Sequence, residues 1–147
     1  MIPFSRREMK NAWWRHYQAA RQINDANTSN TRRLLLFYAV ECGLKALIMV
    51  RNGEDYTGGR LSSRQFRKIQ HDINELLDTL RAGKDLNLPV TAMNDLRSDD
   101  GNYISRQVYA GDYNQMWRYG GSSQAYSDQE LEDRLERIAT WVGRELA

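Results

Sequence analysis

The stretch LLLFYAVECGLKALIMV, residues 34–50, is almost wholly apolar but carries Glu41 and Lys45 near its middle. A bilayer-spanning helix needs about 20 predominantly apolar residues, so seventeen residues interrupted by two charges argue against a membrane span. Tyr38, Glu41 and Lys45 fall on one stripe of the helix, and the opposite stripe is apolar. The stretch therefore predicts the central helix of a soluble bundle, covered on both sides.

The limits of this central helix follow from its flanks. Turn-forming residues in NDANTSNT precede it, so it is expected to begin near Thr31 and to end at Asn52-Gly53. Gly43 in mid-helix indicates that another helix approaches closely there. Glu41 and Lys45 are four residues apart and are expected to form an ion pair along the helix.

Hydrophobic periodicity predicts helices on both sides of this segment. The capping-box pair Ser5 and Glu8 opens a first helix over about residues 5–25. Apolar residues at helical spacing predict another helix over at least residues 71–82, after a loop from Gly53 to Ser63. A second capping box, Ser127 with Glu130, opens the last helix.

The region 84–126 lacks a clear period. Pro89 suits the first turn of a short helix through Leu96, and the Tyr-rich sequence after it predicts an ordered loop with a helical turn at 113–117. No segment predicts a strand. The expected fold is therefore an all-α antiparallel bundle of four or five helices, forming one domain over residues 1–147.

Composition excludes several classes of function. The start of the chain, MIPFSRREMKNAWW, has no apolar segment typical of a secretory signal, which predicts a cytoplasmic location. The single cysteine, Cys42, excludes an internal disulfide and a multi-cysteine metal site. No phosphate-binding loop, dinucleotide fingerprint or metal-ligand spacing is present, so neither a cofactor nor a metal is expected.

Charge is distributed unevenly along the chain. Residues 1–70 hold 13 Lys and Arg against 5 Asp and Glu, whereas residues 71–147 hold 8 against 14. This asymmetry indicates either a nucleic-acid-binding surface in the first half or basic and acidic helices that neutralise each other side by side. A helical DNA-binding regulator is disfavoured, because no helix-turn-helix pair with a polar recognition helix is evident.

Three motifs in order, YAVECGLKALI, HDINELLDTL and WRYGG before a closing amphipathic helix, resemble the HEPN superfamily of small bacterial and archaeal helical domains. The resemblance covers roughly residues 30–147. Gly120 stands where Pro is more usual in that family, and Ile73 where Leu is common. The matching positions are Ala39, Glu41, Leu44, Lys45, Ala46, Leu47, His71, Asp72, Arg118 and Tyr119.

The resemblance implies a helical bundle, often a homodimer, of toxin–antitoxin and antiviral defence systems, frequently beside a nucleotidyltransferase-like partner protein. Many members are metal-independent endoribonucleases with an Arg-x4-6-His motif, which Arg64 and His71 match here. If one helix carries both residues, they share a face. Arg64 would then stabilise charge on the phosphorus while His71 transfers a proton. The alternative is that His71 and Asp72 cap a helix or pin a loop.

The other candidate residues are basic or aromatic. Arg67, Lys68, Arg118 and Tyr119 are candidates for binding RNA or nucleotides. Arg118 is also expected to pair with Glu41, joining the Tyr-rich loop to the central helix. Two functions remain open: a HEPN-like protein that binds or cleaves RNA, and a catalytically silent module that dimerises and docks onto a partner protein.

Overall fold

Helix α2, Ser29–Asn52, forms the centre of the fold. A computed structural model describes residues 2–147, and in it the middle of α2, from Leu36 to Met49, is almost entirely buried. The helix ends at Gly53, whose φ of 67° is left-handed, and the Gly53 N–H caps carbonyls of the last turn. The prediction of a central helix ending at Asn52-Gly53 is therefore confirmed.

Helices α1, Arg6–Arg21, and α6, Asp128–Leu146, pack on α2. Each begins at a serine cap, as predicted: Ser5 Oγ accepts the Glu8 N–H at 3.1 Å and Ser127 Oγ accepts the Glu130 N–H at 3.1 Å. After α1, a 3-10 turn over Ala26–Thr28 leads into α2.

Gly43 explains how closely these helices approach α2. A Cβ at this position would lie 2.5 Å from Val142 of α6 and 3.2 Å from the Trp13 ring of α1. No side chain fits there, so α1 and α6 both contact α2 at its glycine. The expectation of a close helix approach at Gly43 is confirmed.

The helix predicted over at least residues 71–82 corresponds to a shorter helix, and a separate helix precedes it. Helix α3 spans Arg60–Ile69 and helix α4 spans Ile73–Thr79, with Gln70 between them at φ 57°. Asp72 caps α4 by accepting the Glu75 N–H at 3.2 Å. The expected loop also ends earlier than predicted, because α3 begins at Arg60. A 3-10 turn over Lys84–Leu86 follows.

Residues 91–108 form an antiparallel hairpin of strand β1, Thr91–Arg97, and strand β2, Tyr103–Val108. The expectation of a short helix from Pro89 to Leu96, with no strand, is wrong. Asp100 accepts the Asn102 N–H and Gly101 adopts φ 86°, so the turn is built locally. A register shift between Met93 and Leu96 hides the strand alternation in the sequence.

Helix α5, Tyr113–Arg118, follows the hairpin where a helical turn was predicted. Residues 2–147 thus form six α-helices, two 3-10 turns and one two-stranded sheet. The expectation of an all-α fold with four or five helices holds only at the coarser level of a predominantly helical protein. None of the described helices combines the length and hydropathy needed to cross a bilayer.

Candidate functional site

Glu41 lies at the centre of a cluster of charged side chains on α2. Lys45 Nζ is 3.2 Å from Glu41 Oε2, which is the pair that the i,i+4 spacing predicts. The Glu41 and Lys45 side chains are only 10% and 9% exposed. A carboxylate and an ammonium at this depth need each other, because an unpaired charge there would be strongly disfavoured.

His71 approaches the same carboxylate from the turn between α3 and α4. Its Nδ1 lies 2.9 Å from Glu41 Oε1 and 3.0 Å from Oε2. An ionised carboxylate only accepts hydrogen bonds, so Nδ1 donates and Nε2 is left free. The His71 side chain is 56% exposed. Glu41 therefore orients an accessible imidazole whose second nitrogen can exchange a proton.

The backbone between α3 and α4 brings His71 to this position. The chain turns at Gln70, which has a positive φ. The Asp72 N–H then donates a hydrogen bond to the Ile69 carbonyl at 3.2 Å. Glu41 and His71 are 30 residues apart, and no local pattern in the sequence reports their contact. Of the capping or loop-pinning role predicted for His71 and Asp72, Asp72 performs the capping, and His71 joins the α3–α4 turn to Glu41 of α2.

A cavity of about 480 Å³ opens beside this cluster, between α2, α3 and the loop that precedes α3. Its charged walls come from Lys45, Arg67 and His71. Lys45 Nζ also lies 5.6 Å from the centre of the Phe66 ring, a favourable position for a cation. The volume falls within the range of small-ligand sites. Thr57 and Ser63, which also line the cavity, carry no sequence signal that would have identified them.

Helix α3 presents four exposed basic side chains and contains no acidic residue. Across residues 2–147, none of the four lies within 4.0 Å of a carboxylate. We call this set the α3 basic face: Arg60, Arg64, Arg67 and Lys68. Unpaired cations on one exposed helix suit contacts with phosphates.

The structure does not support the geometry expected for Arg64 and His71. Helix α3 ends at Ile69 and Gln70 reverses the chain, so the seven-residue spacing no longer places the two side chains on one helical face. Arg67, one turn after Arg64, lines the cavity together with His71, whereas Arg64 is not among the lining residues. Arg67 therefore takes the position beside His71 that the sequence assigned to Arg64.

The predicted pairing of Arg118 with Glu41 is wrong. Both oxygens of Glu41 are already occupied by Lys45 and His71, and Arg118 Nη2 instead donates to the hydroxyl of Tyr38. This hydrogen bond raises the pKa of the Arg118 guanidinium. Arg118 still joins α5 to α2, but one turn before Glu41.

Nevertheless, one stripe of α2 carries three of these interactions. Arg118 contacts Tyr38, and His71 contacts Glu41. Lys45 follows on the same stripe, and Tyr38 to Lys45 spans about 10 Å at 1.5 Å per residue. Tyr119, next to Arg118, is 77% exposed. Of the residues predicted to bind RNA or nucleotides, Arg67 borders the cavity. Lys68 is exposed next to it on α3, and Arg118 and Tyr119 are exposed at the end of α5.

Two further candidates have structural roles. Burial, followed by the nearby Glu41 charge, raises the pKa of the Cys42 thiol to about 11, so it is protonated at neutral pH and is a poor nucleophile. Trp13 is buried in the core, while Trp14 is exposed. No group of three His, Cys, Asp or Glu side chains within residues 2–147 has the arrangement of a metal site.

Comparisons of the chain with protein-family models, with curated proteins and with solved structures found no match. The functional assignment therefore depends on the Glu41 cluster, the cavity and the α3 basic face.

Proposed function

We propose that the protein is a HEPN-like RNA-binding protein of a toxin–antitoxin or phage-defence type system, and that it cleaves RNA without a metal. The single observation that carries this proposal is the Glu41–His71 contact at a cavity with basic walls. A carboxylate that holds one imidazole nitrogen and leaves the other free is an arrangement suited to proton transfer. Lys45 and Arg67 supply positive charge beside it.

The α3 basic face supports the binding step. Its four side chains are exposed and unpaired among the described residues, so they can contact phosphates without first breaking an ion pair. Binding would release counterions from RNA, and the affinity should fall as the salt concentration rises. Arg67 belongs both to this face and to the cavity, and it would bring a bound phosphate to His71.

The cleavage step follows from the position of His71. Nε2 accepts the proton of a ribose 2′-hydroxyl while the 2′-oxygen forms a bond to the adjacent phosphorus. The bond from phosphorus to the 5′-oxygen then breaks, and the 5′-oxygen takes a proton from water. The products are a 2′,3′-cyclic phosphate and a 5′-hydroxyl. Lys45 and Arg67 stabilise the additional charge on the phosphoryl oxygens in the transition state.

The test is cleavage of total cellular RNA by the purified protein in the presence of a chelator. His71→Ala should reduce the cleavage rate about 100-fold or more, because it removes the proton-transfer group. His16→Ala is the matched control, since it removes the other histidine of the chain and leaves the Glu41 cluster intact. Arg64→Ala should weaken RNA binding without this loss of rate at saturating RNA. Intact RNA with the wild-type protein would refute the cleavage step.

The proposal also includes a HEPN-like bundle fold, a homodimer and a partner protein. The central α2 with α1 and α6 packed on it supports a HEPN-like antiparallel bundle. A homodimer would place two cavities in one assembly, and a nucleotidyltransferase-like protein is the expected partner. Light scattering of the purified protein tests the homodimer.

A second candidate, a catalytically silent module that docks onto a partner protein, is favoured by the hairpin. Leu96 and Tyr103 are 50% and 68% exposed, and a two-stranded sheet is only marginally stable by itself. Such a ribbon can add to a partner's sheet edge. Purification of the protein distinguishes the two functions. Co-purifying RNA that is released as the salt concentration rises favours the RNA-binding protein, and a nucleic-acid-free oligomer favours the docking module.

A further inference from the structure

Lys45 brings unused hydrogen-bond donors to the cavity beside Glu41. The Lys45 ammonium has three N–H groups, and its only hydrogen bond within residues 2–147 is to Glu41. The Lys45 side chain is nine-tenths buried and lines the cavity. Two of its N–H groups therefore remain for a ligand in the cavity.

Thr57 contributes a second buried donor. Its side-chain oxygen accepts the Phe4 N–H at 2.9 Å, and the Phe4 carbonyl accepts the Thr57 N–H at 2.7 Å. These two bonds fix the side chain, which is 2% exposed and lines the cavity. The hydroxyl proton finds no acceptor among the described residues, so it too is available to a ligand.

The remaining walls add charge but no free carboxylate. Arg67 and His71 line the cavity, and both oxygens of Glu41 are engaged by Lys45 and His71. Lys45 and Arg67 against Glu41 leave one positive charge, and a protonated His71 would make it two. Buried donors without acceptors in a positively charged cavity favour an anion with several oxygens.

We propose that this cavity binds a terminal phosphate, the phosphomonoester at the end of a nucleotide or an RNA strand. A phosphomonoester carries three acceptor oxygens and a charge between about −1.5 and −2. That matches the donors of Lys45, Thr57 and Arg67 better than a phosphodiester, which has two free oxygens and one negative charge. The nucleotide part of this inference rests on the proposed function.

The experiment measures binding of three probes by calorimetry at fixed salt: the dinucleotide UpU, the same dinucleotide with a 5′-phosphate, pUpU, and inorganic phosphate. Both dinucleotides carry 2′-deoxyribose as their first sugar, so the proposed cleavage step cannot occur on them. We expect pUpU to bind at least tenfold more tightly than UpU, because charge-assisted hydrogen bonds to the added phosphate are lost in UpU. Equal affinities for pUpU and UpU would overturn the proposal. Inorganic phosphate binding as tightly as pUpU would overturn the nucleotide end as the ligand.

Two arginine variants form a matched pair. Arg67→Gln removes a charge that lines the cavity, and Arg7→Gln removes one from α1, outside both the cavity and the α3 basic face. Both residues are exposed, so both variants should fold. We expect Arg67→Gln to weaken pUpU binding about tenfold and Arg7→Gln to change it less than twofold. Equal losses would reveal a general charge effect and overturn the site.

The result separates this inference from the ribonuclease proposal, because binding is measured without cleavage. Binding of pUpU that depends on Arg67, together with intact RNA in the cleavage assay, would refute the ribonuclease and retain the phosphate site. RNA cleavage by a protein that does not distinguish pUpU from UpU would refute the phosphate site and retain the ribonuclease.

Discussion

Glu41 and Glu132 are both carboxylates flanked by two basic side chains, but their surroundings differ. At Glu132 on α6, Arg32 Nη2 lies 2.9 Å and Arg33 Nε lies 3.2 Å from Oε1. Arg32 also donates to the Ile23 carbonyl. At Glu41, the basic side chains are Lys45 and His71, and they line a cavity.

A structural ion cluster and a candidate site differ in what lies next to the charges. The arginines at Glu132 come from α2 and join it to α6, so their charges hold two helices together. At Glu41, Lys45 keeps unused donors beside an open volume of about 480 Å³. These spare donors next to open space make the second cluster a candidate site.

The largest effect is expected for Glu41→Gln. This change leaves the Lys45 ammonium, whose side chain is 9% exposed, without a counter-charge, and we expect a loss of about 3 kcal/mol in the free energy of unfolding. Lys45→Met should cost less, because Glu41 keeps His71. Urea denaturation measures both. A smaller loss for Glu41→Gln than for Lys45→Met would show that the cluster is hydrated and weakly coupled.

Glu132→Gln should have the next largest effect. Arg32 and Arg33 are 21% and 12% exposed in their side chains, so the loss of their shared carboxylate is expected to cost about 2 kcal/mol of unfolding free energy. Asp133→Asn removes the same charge from an exposed position on the same helix and should stay within about 0.5 kcal/mol. Similar losses in the two variants would mean that net charge, and not the pairing, matters.

Neutralising three of the four side chains of the α3 basic face should weaken RNA binding and leave the stability of the protein unchanged. The triple variant Arg64→Gln, Arg67→Gln and Lys68→Gln breaks no ion pair within residues 2–147. Its stability should therefore stay within about 0.5 kcal/mol of the wild type. For single-stranded RNA, the slope of log affinity against log salt should become less negative by about 2, at about 0.7 for each lost phosphate contact.

The matched control for that triple variant lies on α1. Arg7, Lys10 and Arg15 are exposed there, and replacing all three by Gln removes the same charge. We expect the RNA salt slope of this control to stay near that of the wild type. An equal change in both triple variants would show that RNA responds to net charge and does not contact α3.

The fold could be predicted for segments whose apolar residues recur at helical spacing and whose ends carry capping residues. Helix α2 and the serine caps of α1 and α6 follow from local sequence, because a turn of helix brings only near neighbours together. The hairpin was missed since the bulge between Met93 and Leu96 breaks its alternation. The helix expected at 71–82 is shorter in the structure, Ile73–Thr79, because Gln70 and Arg81 adopt positive φ values that their residue types do not indicate.

The candidate site was predicted only in part. The Glu41–Lys45 contact is local and follows from spacing within one helix. The contact of His71 with Glu41 depends on the turn at Gln70, and the donors of Thr57 depend on the pairing of Phe4 with a loop 53 residues away. Such long-range contacts leave no trace in a single sequence. Charge asymmetry left two outcomes open. The pairing of Arg32 and Arg33 with Glu132 fits neutralisation between helices, and nucleic-acid binding by the α3 basic face stays a prediction.

A third carboxylate, Glu54, extends the comparison because its partners are neutral donors at the start of α3. Its oxygens accept the Ser62 hydroxyl at 2.7 Å and the Ser62 and Leu61 N–H groups at 2.8 and 3.2 Å. The hydrogen bond from the Ser62 hydroxyl is the main cause that lowers the pKa of Glu54 below its ordinary value of 4.5.

The stabilisation by Glu54 should therefore depend on pH. A carboxyl group whose pKa is lower in the folded state stabilises the protein above its unfolded pKa, and this stabilisation is lost as the pH falls through the folded value. Glu54→Gln should lower the Tm by a small, constant amount above about pH 5, and the difference should close below the ordinary pKa of about 4.5. Asp95→Asn, an exposed change in β1, is the control and should leave the Tm near that of the wild type. A Tm difference for Glu54→Gln that persists to pH 3 would mean that the shape of the residue, and not its charge, holds the start of the α3 basic face.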